Sequence, residues 1–482
     1  MSTSATNHKH GATCRQRPIS GSFNHMAGMG LDLSLAFVGL LLNVLAYQSL
    51  FPAAAALLIF GLSGCVVAVV TRAGSWEFRI FRRLCATGWV SCGLAGIFAE
   101  HLSDPSQLTL DAASFFEFAS RDASGLNLDQ IRERSEGSLV VYVWRAAYDA
   151  FAALEFPRER YLGVLVNVLF VALTGVIAVQ MVRQMYGADS TRASRMTLLM
   201  PCSGAVWLFA GLHLRDSAAL LLVTGLAKIW LWYMKNPRFS LRLGMVAGLS
   251  VLMAPTLVLV RTEYLFMPFA FGLAALGSML LVNALSPARI AAVVAGVLLV
   301  SAVFLGIKED LGAALATNTR GYVAQAEAEA SSVSLGMKLV VKQPMPIRAL
   351  VGTLYLYVSP FPMWSGLLTN SAYHWFKSAN ALFSICILPL LIIASSALFR
   401  SDGSSRKLQL VFLLLVVLGT SAAVALTSLE TRHLGTFLVP TLLIALEPDL
   451  NNAGVRKKYL KLLSFTLIGA VFAHLVWLMV KL

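Results

Sequence analysis

Charge is scarce in this chain of 482 residues. Asp, Glu, Lys and Arg together make up 13% of it, where a soluble domain carries about 25%. Apolar residues fill 57% and the mean hydropathy is +0.73. This balance excludes a soluble enzyme, a DNA-binding protein and a disordered scaffold, and leaves a polytopic membrane protein. Cysteine is also sparse. Cys14, Cys65, Cys85, Cys92, Cys202 and Cys386 fall in apolar stretches or among basic segments and form no C-x-x-C. A disulfide framework and a cysteine metal site are therefore not expected, and the thiols read as small apolar packers. The eight histidines are scattered and suggest no metal centre. No repeat of fixed period is visible. The first thirty residues are polar, with an isolated His8-Lys9-His10, and lack the short apolar core of a removable signal peptide.

Acids are fewer than bases, 24 against 38, for a net charge of +14. In a soluble protein that excess would suggest nucleic acid. In a membrane protein it records which loops stay in the cytoplasm.

A crossing helix needs about 20 mostly apolar residues. Thirteen stretches qualify, near 31–50, 52–71, 84–99, 161–182, 196–212, 217–234, 243–260, 264–285, 289–307, 379–399, 408–428, 433–447 and 462–480. Two more are set aside. The stretch 138–156 carries Arg145 and Asp149 at its centre, and 347–364 ends in Pro360-Phe361-Pro362-Met363-Trp364, which suits an interfacial or re-entrant helix.

With the N-terminus in the cytoplasm, the inner segments hold 21 cations against six acids, and the outer ones 16 cations against 18 acids. Lys228, inside a span near its inner end, is expected to snorkel. The short cationic loops all fall on one side, as the positive-inside rule requires. Inserting either excluded stretch alone would move several basic clusters outside. The expected fold is thus all-α, a polytopic integral membrane protein of about 13 transmembrane helices (12–14). The divisions are a polar cytoplasmic N-terminus (1–30), three spans (31–99), an outer loop with amphipathic helices (100–160), spans four to nine (161–307), a second outer loop (308–378) and the C-terminal spans (379–482).

Most connections are about 2–8 residues, so the two long outer loops suggest a built site or a docking role. In the first, Asp111, Phe115, Phe118 and Ala119 share one helical face that can lie on the membrane surface. Asp111 opens that helix. It reads as an N-cap, as a carboxylate able to take a proton from an acceptor hydroxyl, or as both. Three short outer turns each carry an Arg near an acid: Arg215-Asp216, Arg261 with Glu263, and Arg432 after Glu430. Each alone is ordinary interfacial polarity, and Arg215-Asp216 can be a local ion pair with Asp216 capping the next helix. The alternative is that Arg215, fixed by Asp216, offers its guanidinium fork to a phosphate. Taken together the three turns suggest an anionic-substrate site. His433 is either a general base there or a surface imidazole. The Ala-rich, Glu-bearing stretch from Tyr322 to Ala330 reads as a solvated helix. Tyr355, Tyr357 and Trp364 read as membrane anchors that also suit a groove for a polyprenyl chain or a sugar face.

The pattern Asp111-x3-Phe115-x3-Ala119, the run Arg160-Tyr161-Leu162-Gly163-Val164-Leu165-Val166-Asn167, and Leu214-Arg215-Asp216 opening a span resemble bacterial GT-C-type membrane glycosyltransferases. They are similar also to the related O-antigen and exopolysaccharide polymerases. Pro360-Phe361-Pro362-Met363-Trp364, and Thr431-Arg432-His433 followed by Pro440, add to the likeness. The resemblance covers most of the chain through short motifs. In typical members the acidic loop follows the first span; here it follows the third.

The resemblance implies an inner-membrane enzyme of cell-surface polysaccharide biosynthesis. It would transfer sugar from a polyprenyl-phosphate-type carrier on the periplasmic face, within a polysaccharide-assembly complex. Asp111 would be the catalytic residue, with Arg215, Asp216, Arg261, Glu263, Arg432 and His433 holding substrate. No cofactor is implied, and a divalent cation is not indicated. A repeat-unit polymerase of the same superfamily, a flippase for lipid-linked sugars, and a non-catalytic component of a synthesis complex are the alternatives.

Overall fold

The computed structural model describes residues 20–102, 111–120, 139–237, 241–282, 320–321, 323, 335–398 and 405–481. Among these every regular element is helical. The long helices are α1 (Ser20–Tyr47), α2 (Phe51–Thr71), α3 (Trp76–His101), α6 (Arg160–Tyr186), α9 (Asp216–Met234), α10 (Leu241–Val260), α11 (Met267–Leu281), α14 (Ala372–Leu398), α15 (Ser405–Leu426) and α18 (Ala453–Lys481). Between them lie α4 (Asp111–Ser120), α5 (Leu139–Ala152), α7 (Ser190–Cys202), α8 (Gly204–Gly211), α12 (Leu335–Val341), α13 (Met345–Val358), α16 (Thr431–Gly435) and α17 (Leu438–Ala445). Two 3-10 turns, Thr262–Phe266 and Ser365–Leu368, complete the set.

Nine helical stretches among the described residues are long and apolar enough to cross a membrane, from Gly28–Tyr47 to Ala453–Met479. The predicted spans near 84–99, 196–212 and 433–447 are not among these nine. In α3 the first two turns carry Glu77, Arg79, Arg82 and Arg83. The other two stretches are broken, as α7–α8 and α16–α17. Pro201 closes α7, and Ser203 begins α8 by accepting the Ala205 amide. Asn380 Oδ1 accepts the same amide at 3.1 Å, so the break is satisfied from α14. Gly204 permits this approach, because a Cβ there would overlap the backbone of Asn380. The predicted span 289–307 and the Glu-bearing stretch 322–330 lie almost wholly outside the described residues.

Short connections make successive helices antiparallel, so the bundle has two ends. We call the upper end the one that holds residues 213–216. Tyr47 meets Tyr161 there, and Arg261 meets Asp216. The lower end is tied by ion pairs: Asp32 with Arg82 and Arg83, Arg183 with Glu77, and Arg192 with Asp189. Arg192 and Arg195 also donate to the carbonyls of Ala445, Leu446, Glu447 and Pro448, capping the C-terminal end of α17 with positive charge. Lys228 does more than snorkel, since it donates to Gln180 Oε1 on α6 at 2.5 Å.

The core centres on α6, whose apolar window is 78% buried, while that of α18 is 6% buried. The helix predicted to lie on the membrane surface is instead packed inside the protein. Ala112, Phe115, Phe118 and Ala119 of α4 are buried, and Phe115 stacks against Trp144 of α5 at 5.8 Å between ring centres. A second apolar helix was available to cover that face. In α5 the residues Val140, Val141, Trp144, Tyr148 and Phe151 are buried, which favours α4 pairing over exposure to interfacial water. At 14 residues each, α5 and α13 are too short to cross.

The two-ended arrangement can be checked by chemical labelling. Single cysteines at Leu154 and Asn452, both exposed, should react with a membrane-impermeant thiol reagent from opposite faces of the membrane. Labelling of both from one face would refute the topology.

Candidate functional site

Asn167 organises the upper end. It is fully buried in α6, and its carboxamide meets three neighbouring elements. Nδ2 donates to the carbonyls of Leu212 at 2.9 Å and Leu214 at 3.0 Å. Oδ1 accepts from Trp144 Nε1 at 3.0 Å and Ser217 Oγ at 2.9 Å. One side chain thus fixes the turn 212–217, the start of α9 and the docking of α5. A polar turn buried in this way needs such internal partners.

His213 lies in that turn, enclosed by aromatic rings. Trp144 is 4.0 Å away between ring centres, Phe116 meets it edge-on, and Tyr148 Oη is 3.2 Å from Nε2. Tyr148 also accepts the Gly163 amide, and only a residue without Cβ fits there, because one would overlap the His213 ring. Burial first, and then the Arg160 guanidinium, push His213 down to about 3. Arg160 itself lies over the Phe116 ring.

The next two residues face the site differently from the sequence expectation. Asp216 does not fix Arg215. It pairs with Arg261, Nη1 to Oδ1 at 3.1 Å, 45 residues along the chain, and both groups are buried. Arg215 points instead over the Phe115 ring at 5.3 Å. The reason is geometric. Arg215 precedes α9 and Asp216 begins it, so their side chains diverge by about 100°. Arg261, arriving from the end of α10, faces Asp216. Phe115 follows Asp111 by one turn of α4, which brings the Asp111 backbone toward the same corner; the Asp111 side chain lies outside the described residues.

Arg432 and His433 lie on α16, beside this corner. Ser428 Oγ and His433 Nδ1 form a 2.8 Å hydrogen bond. Arg261, Arg432, Arg215 and Lys377 all lie within electrostatic range of the His433 imidazole. Glu430, expected to accompany Arg432, is paired with Lys377 of α14 at 3.0 Å. Burial opposes ionisation of Glu430, but the Lys377 ammonium and then Arg432 outweigh it and hold the carboxyl at about 2.

Below this cationic corner runs a groove of about 920 Å³ between α11 and α15. Arg261, Glu263, Arg320, Ser428 and His433 line its upper end. Its walls are otherwise apolar or small, from Phe266 to Gly277 on one side and from Leu415 to Val424 on the other. Met267 to Gly277 spans ten helical steps, roughly 15 Å, half the thickness of a bilayer hydrocarbon core. Among the described residues no three His, Cys, Asp or Glu come together in a way that could hold a metal ion.

No family model, curated protein or solved structure matches this chain. The site therefore has to be read from its own chemistry.

The expected residues Arg215, Asp216, Arg261, Glu263, Arg432 and His433 are brought to one corner by four separate elements. Sequence reading missed Asn167 as the organiser, Lys377 as the partner of Glu430, and Trp144 and Tyr148 as the walls around His213. A signal was present for the first two. Asn167 is a lone carboxamide in an apolar run, and Lys377 stands just before a predicted span. Each needs a partner that sequence spacing does not reveal.

Three measurements test these roles. Asn167→Ala strands two carbonyls, an indole and a hydroxyl, and should cost about 3–5 kcal/mol, lowering the melting temperature in detergent. Lys377→Met leaves a partly buried carboxylate without its ammonium partner and should cost about 1–3 kcal/mol, most of it recovered in the double variant with Glu430→Gln. His213 binds its proton less readily when folded. Stability should therefore be full above pH 6.5 and fall as pH drops toward about 3, and His213→Gln should flatten that slope.

Proposed function

We propose that this chain is an inner-membrane glycosyltransferase of cell-surface polysaccharide biosynthesis, acting on a polyprenyl-phosphate-type sugar carrier at the periplasmic face, with about thirteen spans. The observation that carries this reading is the groove between α11 and α15. It joins an apolar trough of one-leaflet depth to an end lined by Arg261, Arg320 and His433, with Arg215 and Arg432 within electrostatic range of that imidazole. A ligand that matches both halves has a long hydrocarbon and an anionic head. The resemblance to GT-C enzymes supplies the sugar, and the charge distribution of the loops supplies the side of the membrane.

In such a transfer the acceptor hydroxyl attacks the anomeric carbon while the bond to the carrier phosphate breaks. The electron pair leaves on the phosphate oxygen, where Arg215 and Arg432 would stabilise the growing negative charge. The hydroxyl proton would pass to Asp111. Asp216 holds Arg261 at the lip of the groove, and Glu430 with Lys377 holds the base of the turn that presents Arg432.

The two broken spans favour one alternative, a flippase for lipid-linked sugars, because interrupted helices are common in transporters. Both readings share the ligand and differ in the product.

Arg432→Ala and Arg215→Ala should each abolish polymer while the protein stays in the membrane. Wild-type output from both would end the shared-site reading. Asp111→Asn should lose far more activity than the about 1 kcal/mol of a lost N-cap would explain. On deletion of the protein, a truncated lipid-linked unit accumulating outside is the expected result. Whole repeat units outside would mean polymerisation, and whole units trapped inside would mean transport.

A further inference from the structure

A second apolar crevice, of about 340 Å³, lies at the lower end between α1, α2 and α3, far from the groove. Leu33 and Leu40 of α1, Leu57 and Phe60 of α2, and Trp89 of α3 form its walls. From Met29 to Leu40 it follows eleven steps of helix, roughly 16 Å, close to the depth of one leaflet. The helix that closes one side, α2, has only 17% of its apolar window buried against protein.

The mouth of the crevice is charged and unevenly so. Asp32 is the acid there, and it takes both Arg82, at 2.7 Å, and Arg83, at 2.8 Å. Arg79 stands one turn away over the Trp76 ring, within electrostatic range of both. Glu77 does not offset them, because it is engaged by Arg183. Arg82 and Arg83 thus share the one carboxylate of Asp32 at the mouth. The Nε and Nη2 of Arg82 both go to Asp32 Oδ2, while its side chain remains 36% exposed at the mouth.

We propose that this crevice binds an anionic phospholipid, with one acyl chain along α1 and α2 and the headgroup phosphate at Arg82. The charge at the mouth selects the headgroup, since a phosphate relieves the crowding of like charges that Asp32 only partly offsets. The length and apolarity of the crevice select a lipid over a free anion. Bound there, the acyl chain supplies α2 with packing that the protein itself does not.

Thermal unfolding of the purified protein in detergent, with phosphatidylglycerol or phosphatidylcholine added, tests this. Phosphatidylglycerol should raise the melting temperature by several degrees, and phosphatidylcholine by clearly less. Gly61 lines the crevice and a Cβ there meets nothing within 4 Å, so Gly61→Leu adds bulk to the crevice from an open position. That variant should lose the response to phosphatidylglycerol. Arg82→Gln should reduce the preference between the two lipids, and native mass spectrometry should show fewer retained anionic lipids in both variants. An equal response to the two lipids, or a Gly61→Leu variant that responds as the wild type does, would overturn the proposal.

Discussion

A polar atom buried among apolar helices must find its partners inside the protein, and the upper end of this bundle is organised by that constraint. Asn167 is the clearest case. Its four hydrogen bonds replace the solvent that the turn 212–217 would otherwise need, and in doing so they set where Arg215 and Asp216 stand. The Arg261–Asp216 and Lys377–Glu430 pairs follow the same rule one step outward. Each couples elements distant in the chain, and each places a further cation or acid at the lip of the groove. A site assembled this way is rigid because its parts are also what keeps the polar backbone satisfied.

Charge at the two ends serves different ends. At the lower end most of the cations are engaged within the protein, on Asp32, Glu77, Asp189, Glu447 and the last carbonyls of α17. At the upper end Arg261, Arg432, Arg215 and Lys377 all lie within electrostatic range of one imidazole. Like charges near the mouth of an apolar trough are costly to leave in place, and on the proposed reading an anion with a hydrocarbon tail would relieve that cost.

The helical, membrane-spanning class was legible from composition, and the three Arg-bearing turns from their spacing to the predicted spans. Pairing was not. Asp216 sits next to Arg215 in sequence, yet the helix start at Asp216 turns the two side chains apart, and its partner comes from α10. The apolar face of α4 was visible as a period of residues, but a periodic face cannot tell lipid from a second helix; only α5 decides that. The breaks in α7–α8 and α16–α17 were similarly hidden. Pro201 and Pro440 mark places where a helix can yield, whereas the Asn380 side chain that stabilises the first break lies 175 residues away from the amide it receives.

The capping of α17 by Arg192 and Arg195 bears on how the chain is made. The donors and the carbonyls they reach are separated by 250 to 255 residues. At synthesis rates of roughly 5–20 residues per second, about 12 to 50 seconds pass between the arrival of the two halves. Through that interval Arg192 has Asp189 beside it in the chain, whereas the carbonyls that both arginines will cap are still to come. The lower end of the bundle is therefore closed late, by a segment that follows its arginine partners by some 250 residues.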